Sequence, residues 1–286
     1  PTRRGRSGAR SSAALPSARM QEILQAEGSV SNGVLHVSVD RDDIHGVTLR
    51  GVPIAPAFQL NGDLAFQSLG AGQALFNGDI PLKSEEVNPV IDAILANGLV
   101  FQAEHQHFYD FDPPVWFIHF RGRRSPLALA QAVRNVLRAT STPLPQTMPS
   151  NLTTPLDKER LRRILRGDAP EVAADGVVTV SVSRRDRILL GGFGAEPDLN
   201  IATTVAFQPL DAAGSTAAAA PDFALETAEV DRVMRTMRGA GWDIGCLYNQ
   251  EIGERPQLYF SHQFKTGDPY VLAREVRRGL DHTNSA

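Results

Sequence analysis

The chain has 286 residues, a formal net charge of −3 and a lone cysteine, Cys246. That length suffices for one large core or two ordinary ones, while a single thiol rules out an internal disulfide framework and any Cys-rich zinc or iron–sulfur site. The near-neutral charge argues against a general nucleic-acid binder, and no run approaches the roughly 20 apolar residues of a membrane-spanning helix.

Residues 1–19 carry Arg3, Arg4, Arg6, Arg10 and Arg19 among Ser, Gly and Ala, with no acid before Glu22. They read as a flexible arm, a simpler account than an anchor for an anionic partner. The start at Pro1, with neither an initiator Met nor a signal-like apolar stretch, reads as that of a trimmed, mature chain. A short helix over 20–26 is expected next, then strands near 33–39, 46–50, 58–67 and 73–80. Val87, Val90, Ile91, Ile94 and Leu95 follow with the spacing of an amphipathic helix. Ser84 is its expected N-cap, and Asn97-Gly98 its stop. A hairpin built from residues 100–107 and 115–120 comes next, and Ser125-Pro126 opens a final helix.

Residues 141–156, rich in Pro, Thr and Ser, are expected to be an exposed linker between a first unit (20–140) and a second (157–286). The second repeats the first at a nearly fixed offset of 143: Gly33 maps to Gly176, Asp79 to Asp222, Val87 to Val230, Pro113 to Pro256, His119 to His262 and Pro126 to Pro269. Lys158 to Arg166 repeats the opening helix, Thr227 the N-cap, Gly239 the stop and Asp268-Pro269 the last helix start. Strands, helix, hairpin, helix, twice over, predict an α+β fold of two tandem homologous units forming one pseudo-symmetric body.

Three of the seven histidines lie in the first hairpin. In 100–107 the polar Gln102, Glu104 and Gln106 alternate with Phe101, Ala103, His105 and His107, so His105 and His107 share a strand face. A five-residue loop from Asp110 to Pro114 would set His119 opposite His105 and bring all three imidazoles together. Three imidazoles with an open position are the ligand set of a reactive metal centre, the plain alternative being buried, hydrogen-bonded histidines. At the same offset His105 becomes Tyr248 and His107 becomes Gln250, so the second, degenerate unit lacks a full set. Cys246 with His262 would suit a soft metal, although an inert buried thiol is the simpler account. His36, in an apolar strand, and His45, in a His-Gly turn, are set aside.

Asp79, Asp110 and Asp112 are candidates for a fourth ligand, an orienting partner or a base, each with an ordinary turn role as the alternative. Arg121, Arg123 and Arg124 would steer a small anionic substrate if they face the site, or else form a solvated turn. Asp79 and Arg121 are the catalytic candidates. Gly191-Gly-Phe-Gly194 lacks the Lys and the spacing of nucleotide-binding loops, and no nucleophile elbow is present.

The runs Phe76-Asn-Gly-Asp-Ile80, Glu86-Val-Asn-Pro-Val-Ile91, Ala103-Glu-His-Gln-His107 and Phe117-Ile-His-Phe120 resemble the signature of the LppY/LpqO family, a bacterial domain of unknown function. The resemblance spans both units and implies a duplicated architecture and an exported protein of the cell envelope or periplasm. It matches His105, His107 and His119 to the family's histidines and Asp79 to its Gly-Asp. Gln106 stands where Asn is usual, and Tyr109 to Pro114 depart from the family's usual turn; the resemblance brings no established reaction.

The ligand types resemble those of copper-only superoxide dismutases, and copper tops the divalent affinity order, so copper with redox chemistry on a small oxygen species is the favoured expectation. The alternative cofactor is zinc, in a hydrolase. That reading lacks a base, because Glu104 points to the opposite face and no His-Glu-x-x-His helix exists. A third reading is a non-catalytic envelope module that binds a small ligand or a protein partner, using a groove between the units or the aromatic tip Phe108, Tyr109 and Phe111.

Overall fold

The computed structural model describes residues 14–286. Of the expected arm, Arg3, Arg4, Arg6 and Arg10 lie outside the described residues; Arg19 belongs to the first helix, where it pairs with Glu22. The first unit runs α1 (Ser17–Leu24), β1 (Ser29–Ser31), β2 (Val34–Asp40), β3 (Thr48–Leu49), β4 (Val52–Pro53), α2 (Pro56–Gln59), β5 (Asn61–Gly70), β6 (Gln73–Leu82), α3 (Val87–Ala96), β7 (Val100–His105), β8 (Phe111–Asp112), β9 (Trp116–Arg124) and α4 (Pro126–Leu137). The second runs α5 (Lys158–Leu165), β10 (Glu171–Val172), β11 (Val178–Val182), β12 (Leu189–Leu190), β13 (Phe193–Gly194), β14 (Thr203–Pro209), β15 (Ala217–Glu226), α6 (Thr227–Gly239), β16 (Asp243–Ile244), β17 (Leu258–Gly267) and α7 (Pro269–Leu280).

Each unit builds a six-stranded antiparallel sheet in the same spatial order, β1-β2-β5-β6-β9-β7 and β10-β11-β14-β15-β17-β16. The α+β architecture and the duplication are as the sequence predicts. On the outer face of the first sheet Leu35, Val37, Phe66, Phe76 and Phe120 pack beneath α1, α3 and α4, whose apolar stripes supply Met20, Leu24, Val90, Ile94 and Val133. Val178, Val180, Phe207 and Phe223 do the same beneath α5, α6 and α7. Each such side chain contributes about 1.5–3 kcal/mol relative to exposure.

The inner faces turn toward each other, so the layers run helices, sheet, sheet, helices. What joins them is an exchange of arms. The segment after β2, residues 41–60, reaches over the second sheet, where Phe58 packs with Ala206, Ala218, Ala220 and Phe264. Its counterpart after β11 reaches back, placing Leu190 and Leu199 on Val34, Ala65 and Leu75. One glutamine on each sheet holds the arriving arm by its backbone. Gln67 donates to Gly194 O at 2.9 Å and accepts from Glu196 N at 2.9 Å; Gln208 donates to Pro53 O at 2.8 Å and accepts from Ala55 N at 2.9 Å.

Several local expectations need correction. The strand expected over 58–67 spans Asn61–Gly70, because Pro56, with its φ locked, opens the one-turn helix α2 instead. The strand expected over 46–50 shrinks to β3, because Arg50 and Gly51, both at positive φ, turn the chain back into β4. Ser84 and Thr227 do not cap their helices: Glu86 and Glu229 reach back to the Lys83 and Glu226 amides at 2.9 and 2.8 Å, and the Ser84 hydroxyl accepts from the Trp116 indole. Asp268 is the cap expected, accepting from Tyr270 N and Val271 N. The linker is extended but pinned, since Gln146 bridges Gln25, Glu27 and Asp40 by backbone and side chain.

The hairpin differs most. Its connection is no five-residue loop: Phe111–Asp112 leaves to pair with β3, and β7 meets β9 in a register that sets Ala103 opposite His119 and His105 opposite Phe117. A bulge between Phe101 and Ala103 turns Gln102 inward to a buried position, against its expected exposure. The register is displaced by two residues from the expected one, which preserves strand parity, so His105 and His119 still share the inner face.

Candidate metal centre

His105 ends β7, His119 lies at the middle of β9, and His107 sits two residues beyond β7 on the chain leading to β8. The ring centroids of His105 and His107 are 5.1 Å apart, and those of His105 and His119 are 5.0 Å apart. One ligand atom from each of the three falls within 4.8 Å of the others. An ion at about 2.0–2.1 Å from each nitrogen would draw them closer through side-chain rotation.

Partnerships of these rings are incomplete. Both ring nitrogens of His105 and Nε2 of His107 are buried without a hydrogen-bond partner. A buried polar atom left so costs about 1–3 kcal/mol, and a bound cation satisfies it. His107 Nδ1 lies 3.1 Å from Gln59 Oε1, which accepts its proton and leaves the Nε2 lone pair free for a ligand bond. Burial lowers all three imidazoles below the usual histidine range, His119 to about 3, so they are neutral at physiological pH.

The second unit completes the surroundings. Tyr248 stacks on His105 with centroids 3.6 Å apart, and His262 stacks on His107 at 3.6 Å, the other face of that ring lying on Phe117 at 3.3 Å. The Tyr248 hydroxyl donates to Gln250 Oε1 at 2.6 Å and lies 3.4 Å from His119 Nε2. Cys246 Sγ lies 3.3 Å from His262 Nδ1, and His105, Cys246 and His262 form a second cluster whose ligand atoms lie within 4.8 Å of one another. The histidines therefore lie at the junction of the two units.

A cleft of about 100 Å³ opens onto the cluster. Asp79 stands directly across the strands from His119, and Asp222 directly across from His262, a pairing kept in both units. Burial pushes Asp222 up to about 8 and Asp79 well above the usual carboxylate range. Asp222 Oδ2 is 3.7 Å from His262 Nε2, while its Oδ1 has no partner. Asp63, Gln59, Asn61, Asn200 and Gln250 are among the other residues of a polar lining that contains no Lys or Arg.

Other sequence candidates lie elsewhere. Arg121 is no part of the cleft: its guanidinium donates to Gln102 Oε1 at 3.1 Å and Ile252 O at 2.9 Å. Arg123 lies over the Phe193 ring and Arg124 donates to Gly98 O, so the three arginines extend β9 and do not form a solvated turn. Asp110 pairs with Arg50 at 2.8 Å, Asp112 is exposed on β8, and Glu104 is exposed on the far face as expected. Of the aromatic tip only Tyr109 is exposed; Phe108 and Phe111 are buried in the core between the units. Nothing in the sequence singled out Gln59 or Asn200, and Gln250 was visible only as the repeat counterpart of His107. Tyr248 was visible only as the repeat counterpart of His105, the ring it stacks on, and His262 as the counterpart of His119 and a partner for Cys246, not as the ring that covers His107.

No curated protein matches the chain. Among solved structures it is similar to a trimeric bacterial microcompartment shell protein, PduB, at 12% identity and a TM-score of 0.26 over 90% of each chain, a likeness too slight to bear on fold or function. The family described as Domain of Unknown Function (DUF1259) matches residues 18–139 and again residues 159–282. The chain therefore belongs to that family, with two copies of its domain in tandem.

Proposed function

We propose that the protein binds a transition-metal ion through His105, His107 and His119, and that the ion serves redox chemistry on a small oxygen species in the manner of a copper-dependent superoxide dismutase. The observation that carries this reading is the set of unpartnered, buried imidazole nitrogens converging beside a water-accessible cleft. Imidazole is a good ligand for copper and zinc, and copper stands above zinc in the affinity order. Zinc hydrolysis is the alternative; Asp79 and Asp222 are the carboxyls nearest the cluster, but burial keeps both protonated, so either serves as a base only once a bound cation draws its proton off. The lining offers no Lys or Arg and Arg121 is engaged elsewhere, so superoxide would react with a copper-loaded centre well below the electrostatically steered limit.

The finer relationship to the LppY/LpqO type, and with it a place in the cell envelope, is also our reading; it is supported by the motif residues around Asp79, His105, His107 and His119. Elemental analysis of protein purified under copper- and zinc-replete conditions tests the centre. About one ion per chain is expected, and it is lost in His105→Ala with His107→Ala. Metal-free protein would remove both enzyme readings and leave a non-catalytic binding module. Inactivity toward superoxide at full copper loading would remove the dismutase reading alone.

A further inference from the structure

Cys246 lies where the first unit has Ala103, on the chain just after β16 and beside β17. Its backbone is fixed from both sides: Gly245 N donates to His262 O at 2.8 Å, and the Ser261 hydroxyl donates to Cys246 O at 2.9 Å. The preceding residue has to be glycine. A Cβ there would stand 2.3 Å from His107 O and 2.5 Å from the Phe108 ring, so this segment is pressed directly against the histidine-bearing segment of the first unit.

That close approach brings a sulfur to the imidazoles. Cys246 Sγ, His262 and His105 offer three ligand atoms within 4.8 Å of one another, and Sγ is already 3.3 Å from His262 Nδ1. His105 belongs to both ligand sets, and both of its ring nitrogens are buried and unpartnered, so neither set has a prior claim on it. Beyond His262, Asp222 lies 3.7 Å from Nε2 and is placed to orient the ring when Nδ1 bonds an ion.

We infer that Cys246 and His262 of the second unit join His105 in a thiolate-bearing position for a thiophilic cation, zinc or copper(I). Two imidazoles and a thiolate suit such ions better than three imidazoles do, because the softer sulfur donor matches the softer cation. The metal centre then spans both units, and the degenerate copy supplies a donor that the first copy lacks. The inference rests on the metal-binding reading above and adds sulfur to it.

Cobalt(II) is the probe, because a thiolate bound to it gives an intense near-ultraviolet charge-transfer band that imidazoles alone do not. One equivalent of Co²⁺ is added to the reduced, full-length protein. The band is expected in the unaltered chain and in His119→Ala, and is expected to vanish in Cys246→Ser and His262→Ala. Changes outside the ligand shell of a metal cost about 10–100-fold in affinity, so loss of the sulfur should weaken Co²⁺ binding at least that much. A second measurement needs no variant: one equivalent of Zn²⁺ should protect Cys246 from alkylation. Stoichiometric Co²⁺ binding without the band, or Zn²⁺ binding without protection, overturns this inference and leaves the three-histidine centre standing. Failure to bind Co²⁺, Zn²⁺ or copper overturns both.

Discussion

Burial has opposite consequences for the ionisable side chains at the junction. Imidazoles lose their charge, and His119 and His262, lowered to about 3, stay available as ligands well into the acid range. Carboxyls keep their protons. Glu251, 1% exposed, is pushed up to about 8 from an ordinary 4.5; Asn77 donates to its Oε1 at 2.7 Å, and its Oε2 has no partner. Because the folded state holds this proton more tightly than the unfolded one, the stability that Glu251 contributes is greatest below about pH 4.5, falls as pH rises toward 8, and is level beyond. Glu251→Gln keeps the shape and removes the charge. Its melting temperature should match the parent's near pH 4.5 and exceed it at pH 9, a difference that calorimetry at the two pH values reads directly. Equal melting temperatures at both would show that the carboxyl is not held neutral.

At the scale of elements, the start of each arm is fixed by a buried arginine. Arg41 pairs with Asp43 and Glu86 at 2.8 Å each, and also donates to Pro81 O. Arg184 pairs with Asp186 at 2.6 Å and Glu229 at 2.7 Å, and donates to Ala224 O at 2.9 Å. These networks tie the arm to the strand before each central helix and to the carboxylate that caps it. Removing one partner of a buried pair typically costs about 3–5 kcal/mol, so Arg41→Ala and Arg184→Ala should each lower the urea midpoint by a corresponding amount. Glu86 and Asp186 are held below the usual carboxylate range by these contacts with arginine and neighbouring amides, despite their partial burial. The stability they contribute is present above about pH 4 and is lost as pH falls through their lowered values. In the arginine variants this part of the acid sensitivity should disappear.

At the scale of the whole molecule, neither unit is self-sufficient. Separation would uncover Phe58, Phe108 and Phe117 on one side and Ala218, Ala220 and Phe264 on the other, and would leave Gln67 and Gln208 without the backbone groups they hold. Residues 14–140 expressed alone should associate or aggregate, and light scattering with circular dichroism would reveal it. Mixed with residues 141–286, they should recover a 1:1 complex with a cooperative melt. Gly245→Val tests the same junction within the intact chain. Its side chain would collide with His107 O and the Phe108 ring, so metal affinity should fall together with the melting temperature. A variant that binds metal with undiminished affinity would show that the junction does not position the centre.

Local pattern was enough to read the amphipathic stripes of α3 and α6, the Pro-opened helices α4 and α7, and the inward side of His105 on its strand, since each depends on neighbours a few residues apart, while the fixed offset was enough to read the duplication. The offset carried Asp79 to Asp222 and His119 to His262, but strand register decided that each Asp stands across from its His. Tertiary structure decided that the two inner faces meet, that the arms cross, and that Cys246, Tyr248 and His262 surround His105 and His107. Period-two alternation states which side of a strand a residue takes, but not what lies opposite that side. Here the burial of apolar surface between two sheets, shaped by Gly245 and the two arm-holding glutamines, settled it.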